Sequence, residues 1–133
     1  MKEPKFRCGT ITAIEALADE LNLPIDPEIM EDWSYVVGNA SDIKTYINHY
    51  QSTVDEDKKF VLMELIIQAL EEQETERDFL KSWASVKPLL TTDFVLHEYT
   101  IHYWSCFSND DLDDCWNITP FMRDLWAENK KQN

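Results

Sequence analysis

The stretch WSCFSNDDLDDCW, residues 104–116, puts four aspartates between two cysteines and closes both ends with tryptophan. Residues of these types can bind a metal, pair as thiols, or present an acidic surface to a cationic partner. A calcium loop needs a central glycine for its sharp turn and acids at alternate positions, and SNDDLDDCW has neither. Zinc needs thiolates and imidazoles at local spacing. His102 and Cys106 stand four apart, but Cys115 is nine residues further on and no C-x-x-C is present. A disulfide between Cys106 and Cys115 is conceivable if the flanking helices run antiparallel, although two small buried thiols are the expectation for a reducing compartment.

Nucleophilic catalysis would rest on Cys106 with His102 or His97, a local pairing that chance supplies in most chains. With 26 acidic side chains, a carboxylate acid–base pair carries no information. Glycine occurs only at positions 9 and 38, so no phosphate-cradling loop of the usual motifs can be built. The reading is therefore a protein that is not an enzyme, with no catalytic residue, no metal, no cofactor and no small-molecule substrate.

The distribution of charge is more informative. The formal net charge is −14, from 26 acidic and 12 basic residues, which repels nucleic acid and anionic lipid alike. Between Arg7 and Lys44 there is no lysine or arginine, yet Glu15, Asp19, Glu20, Asp26, Glu28, Glu31, Asp32 and Asp42 lie there. A second such stretch, from Lys87 to Arg123, holds Asp93, Glu98, Asp110, Asp111, Asp113 and Asp114. The segment between them mixes signs as an ordinary solvated helix surface does. Should the two anionic blocks meet in the fold, they would suit a cleft lined with Lys or Arg. Aromatic residues beside them, Trp33 and Tyr35 in the first and Trp104, Phe107 and Trp116 in the second, are candidate anchors.

The elements that must carry these residues read as helices. Two glycines and five prolines leave little for the turns of a sandwich or barrel. The pattern predicts a single all-α domain over residues 1–133, of about seven helices in a bundle or in stacked pairs, with 1–9 and 128–133 as tails. Thr12-x-x-Glu15 opens a helix to Asn22 whose Ile14, Leu17, Ala18 and Leu21 share one face. Asp26-Pro27 starts a second through Trp33 toward Val36, ended by Gly38. Ser41 caps a third with Ile43, Tyr46, Ile47 and Tyr50 inward, and a fourth over 58–73 is apolar nearly all round and so central. Thr75-x-x-Asp78 opens a fifth with Phe79, Leu80, Trp83 and Val86 inward, stopped by Pro88. Residues 93–106 alternate like a strand, but helical neighbours favour a helix with Val95, Leu96, Tyr99, Tyr103 and Cys106 on its face. Thr119-Pro120 begins the last, with Phe121, Met122, Leu125 and Trp126 apolar. The longest apolar run, FVLMELIIQAL, is broken by Glu64 and Gln68, which predicts no membrane span, and MKEPKFRCGT lacks a secretory apolar region, which predicts a reducing cytoplasm.

The segments LNLPIDPEIMEDW and YTIHYWSCFSNDDLDDCWNITPFMRDLW resemble those of small acidic bacterial immunity proteins that guard cells against polymorphic or contact-dependent growth-inhibition toxins. The resemblance covers about half the chain and rests on W-S-C, the acidic stretch and C-W-x-I-T-P. It implies a cytoplasmic protein that binds a cognate toxin with a basic surface, often a nuclease, and covers its active site. Asp110, Asp111, Asp113 and Asp114, with Glu28, Glu31, Asp32, Trp104 and Phe107, are the expected contact residues. The competing reading is a helical adaptor whose aromatic face holds a peptide or a partner helix.

Overall fold

The computed structural model describes residues 3–130, and among them the chain is all-α, with seven α-helices and three short 3₁₀ segments. The contacts gather into two compact units, one of residues 8–82 and one of residues 1–7 with 83–133. Of the two expected tails, positions 1–2 and 131–133 lie outside the described residues, and 128–130 complete the last helix.

In the 8–82 unit, α1 (Ile11–Leu21) is capped two residues earlier than the sequence suggests, because Thr10 rather than Thr12 is its cap, its hydroxyl accepting from the Ala13 N–H at 3.1 Å. The expected second helix is divided. Asp26 caps a 3₁₀ segment, Pro27–Asp32, and α2 (Trp33–Val37) follows, with Trp33 buried and its indole N–H bonded to the Pro24 carbonyl at 2.7 Å. A second 3₁₀ turn, Ala40–Asp42, leads into α3 (Ile43–Ser52), whose four predicted inward residues are all buried. Asn39, not Ser41, caps that turn.

The centre of this unit is α4 (Glu56–Glu71), against which α1, α2 and α3 all pack. Leu62, Met63, Leu65, Ile66, Ile67, Ala69 and Leu70 have no exposed surface, as a helix apolar all round requires. Burying a side chain of this size is worth roughly 1.5–3 kcal/mol, so this one helix dominates the unit's stability. The close packing reaches Gly9, where an added Cβ would lie 2.6 Å from Val61 Cγ2, so that buried side chain would have to shift.

The boundary between the units falls within α5 (Glu76–Thr92), which Pro88 does not stop. Proline removes the bond to the Ala84 carbonyl, but Ala84 and Pro88 are both exposed, so that carbonyl keeps access to water, while buried Val86 and Leu90 hold the helix on either side. Leu80, expected inward, is 44% exposed.

In the other unit, α6 (Glu98–Ser105) and α7 (Thr119–Lys130) form an antiparallel hairpin. Glu98 pairs with Lys130 at one end and the Thr119 hydroxyl donates to the Trp104 carbonyl at the other. Residues 94–106 are helix from Glu98, as favoured over the strand, but the predicted face is wrong. His97, Thr100, Ile101, Trp104 and Ser105 are buried, whereas Val95 is 85% and Tyr103 46% exposed. Small hydroxyl residues bury cheaply when they bond their own helix, as Ser105 does to the Ile101 carbonyl at 2.7 Å, and tyrosine tolerates water at its hydroxyl end. No described helix is long and apolar enough to cross a membrane.

One carboxyl on α4 carries a pH dependence. Burial pushes Glu64 up to about 7 from its ordinary value of 4.5, against the opposing bonds from the Tyr35 hydroxyl at 3.2 Å and the Ser34 hydroxyl at 3.5 Å. The folded chain therefore holds a proton that the unfolded chain releases near 4.5. This contribution to stability is complete below that pH and is lost as pH rises from 4.5 to about 7, a loss on the order of 3 kcal/mol. Glu64→Gln is expected to flatten urea-unfolding stability across this window and to exceed the native chain above it. An unchanged slope in the variant would contradict the assignment.

Candidate functional site

The loop from Cys106 to Ile118 joins α6 to α7, and its shape follows from how α6 ends. Cys106 is the C-cap, in the left-handed region at φ 53° and ψ 44°. A residue with a Cβ holds that conformation at a cost of roughly 1–2 kcal/mol, so something must over-determine it. Arg123, one turn into α7, supplies the compensation. Its guanidinium donates to the carbonyls of Ser105 at 2.6 Å, Cys106 at 2.8 Å and Asn109 at 2.9 Å, and it stands 5.6 Å from the centroid of the Phe107 ring. A fixed cationic fork at the negative end of a short helix satisfies carbonyls that the helix itself cannot.

Local bonds then shape the acidic run. Asn109 Oδ1 accepts from the Asp111 N–H, and Asp111 Oδ1 accepts from the Asp113 N–H, capping the 3₁₀ turn Leu112–Asp114. Asp110, Asp111, Asp113 and Asp114 are all exposed and form no ion pair with any described residue. The nearest base along the chain, Arg123, is committed to backbone carbonyls.

Aromatic side chains flank this run. Tyr103 and Trp116 stack at 5.4 Å between centroids, and Trp116 rests on Trp104 at 4.5 Å. With His102, Phe107, Cys106 and Glu3, Tyr103 and Trp116 line an open groove of ≈ 590 Å³. Trp104, expected as a contact residue, is 4% exposed and serves as the floor under Trp116 instead; Phe107 is half-buried and borders the groove. Tyr103, assigned by its periodicity to the core, faces outward. Only the loop's return toward α6 brings Trp116 against it, and no pattern in residues 93–106 encodes that return.

Glu28, Glu31 and Asp32 belong to the 8–82 unit, where they rim a second, smaller cavity of ≈ 360 Å³ with Ile11 and Met30. They too are exposed and form no ion pair with a described residue. The anionic blocks are not unpaired throughout, however. Glu20 accepts from Lys58 at 2.6 Å and meets His49 at 2.7 Å, which holds its carboxyl below the ordinary range, and Glu98 is taken by Lys130.

The two cysteines of the loop are half-exposed, with their sulfurs 2.7 Å apart, and are not the separate buried thiols expected. The Cys106 thiol beside it, with burial adding, pushes Cys115 up to about 11, so at neutral pH it is protonated and a poor nucleophile. No group of three or more His, Cys, Asp or Glu among the described residues is arranged to hold a metal ion.

Replacing Arg123 by methionine is expected to cost about 2–4 kcal/mol, because three carbonyls lose a charged donor and the Cys106 conformation loses its support. Amide exchange in residues 106–115 should rise by about tenfold or more, while α4 stays protected. Equal loss of protection in both would show that Arg123 does not act on the loop. Compared with protein-family models, with curated proteins and with solved structures, the chain matches none.

Proposed function

We propose that this chain is a non-enzymatic binding protein that holds a cationic protein partner against the acidic loop 109–114 and the neighbouring aromatic groove. The observation that carries this reading is the exposure of Asp110, Asp111, Asp113 and Asp114 without an ion pair to any described residue, in the loop whose Trp116 stacks on Tyr103. Solvated carboxylates in one loop steer a positive surface and raise the association rate, and adjacent aromatic area supplies the contact energy that exposed charge pairs lack. Glu28, Glu31 and Asp32 are candidate secondary contacts.

The biological form that fits is an immunity protein. The cognate partner would be a toxin with a basic surface, a nuclease being favoured because nucleic-acid grooves are cationic, and inhibition would be steric and electrostatic in the cytoplasm. A helical adaptor is the second reading, and the apolar walls of the groove favour it: an apolar peptide or partner helix would bind there with little dependence on salt.

The two separate cleanly. Native protein purified from its host should carry a basic chain, encoded beside it if the immunity reading holds. Raising salt from about 0.05 to 0.5 M should slow association with that chain by about tenfold or more, since the screening length shrinks several-fold. Reversing the four aspartates to lysine should weaken binding by about a hundredfold while the far-ultraviolet circular dichroism is unchanged. Salt-independent association, or full affinity in the reversed variant, refutes the electrostatic reading and leaves the adaptor.

A further inference from the structure

We propose that Cys106 and Cys115 are a dithiol–disulfide pair, a modification site that closes the acidic loop into a covalent ring. Their sulfurs stand 2.7 Å apart, well inside the resting separation of two unbonded sulfurs and approaching the length of a disulfide bond. Both side chains are half-exposed, so a small oxidant reaches them.

The approach is built in from both sides. Cys106 is turned toward the loop by its left-handed backbone, which Arg123 locks through the carbonyls of residues 105, 106 and 109. Cys115 is brought back by the 3₁₀ turn at Leu112–Asp114, through its own N–H to the Leu112 carbonyl at 3.1 Å, and its thiol also approaches the Asp111 carbonyl at 3.6 Å. The remaining cysteine, Cys8, is exposed and lies in the other unit. A metal would need further ligands around the sulfurs, and no described cluster of three provides them.

The chemistry balances with a small-molecule disulfide such as oxidised glutathione as the oxidant. Cys106 gives up its proton and its sulfur attacks a glutathione sulfur, the glutathione S–S bond breaks, and a glutathione thiolate leaves. The second cysteine thiolate attacks the mixed disulfide at the protein sulfur, forming the Cys106–Cys115 bond and expelling the second glutathione thiolate. The protein loses two electrons, and its two thiol protons end on the two glutathiones. Because the second thiol is already in place, ring closure outpaces accumulation of the mixed disulfide. The product pins the loop carrying the four aspartates, whatever that loop binds.

The test is chemical and needs no partner. The full chain is incubated with oxidised glutathione, alkylated, and cut by an Asp-specific protease, which cleaves between the two cysteines. The expected result is that the flanking peptides stay joined, about 2 Da lighter than the sum of the two thiol peptides, until dithiothreitol is added. That species should exceed mixed glutathione disulfides by about tenfold or more, in the native chain and in Cys8→Ser, and be absent in Cys115→Ser. Predominant glutathionylation of either cysteine, or bridging through Cys8, would overturn the proposal.

Discussion

A single guanidinium governs the part of the molecule where function is proposed. Arg123 ties α7 to the end of α6 through three carbonyls, and in doing so it fixes a strained cap, the entry of the acidic loop and the position of Phe107. It also removes the base nearest to the aspartates along the chain from competition for them. Charge-assisted bonds to backbone are stronger than exposed ion pairs, so the guanidinium prefers the carbonyls and the carboxylates remain available. The loop is thus ordered by the same interaction that leaves it anionic.

The 8–82 unit follows a different logic. There a helix apolar nearly all round organises three others, and one carboxyl in its middle, Glu64, is satisfied by Ser34 and Tyr35. A carboxyl in such a place is retained at a cost in stability, and its bonds tie α2 to α4 with a specificity that apolar packing lacks. Gly9 lies against the same helix, where an added Cβ would displace Val61.

Acidity of the whole chain and acidity of a site are separate properties. Glu20 and Glu98 come from the two stretches without basic neighbours in sequence, yet both are answered in space by lysines from elsewhere. What distinguishes Asp110, Asp111, Asp113 and Asp114 is that they sit in a loop whose own backbone uses only one of their side chains as a cap. Their fields add at short range, and the residues that flank them in the chain, Phe107, Ser108 and Trp116, line an aromatic groove.

The sequence by itself determined the helical class, the central place of α4 and the starts of α5 and α7, because hydrophobic period, capping residues and proline act over a few neighbouring positions. The buried set Ile43, Tyr46, Ile47 and Tyr50 follows from spacing alone. Tertiary structure decided what depends on partners distant in the chain. Pro88 stays inside α5 because neighbouring buried residues outweigh one lost bond, and the buried face of α6 turns toward Ile101 and Trp104 because α7 rather than periodicity sets it. The approach of Cys115 to Cys106, the platform of Tyr103 on Trp116 and the capture of carbonyls by Arg123 all require the loop to fold back. Such closure is set by three-dimensional packing and local turn bonds together, so no window of residues reveals it in advance.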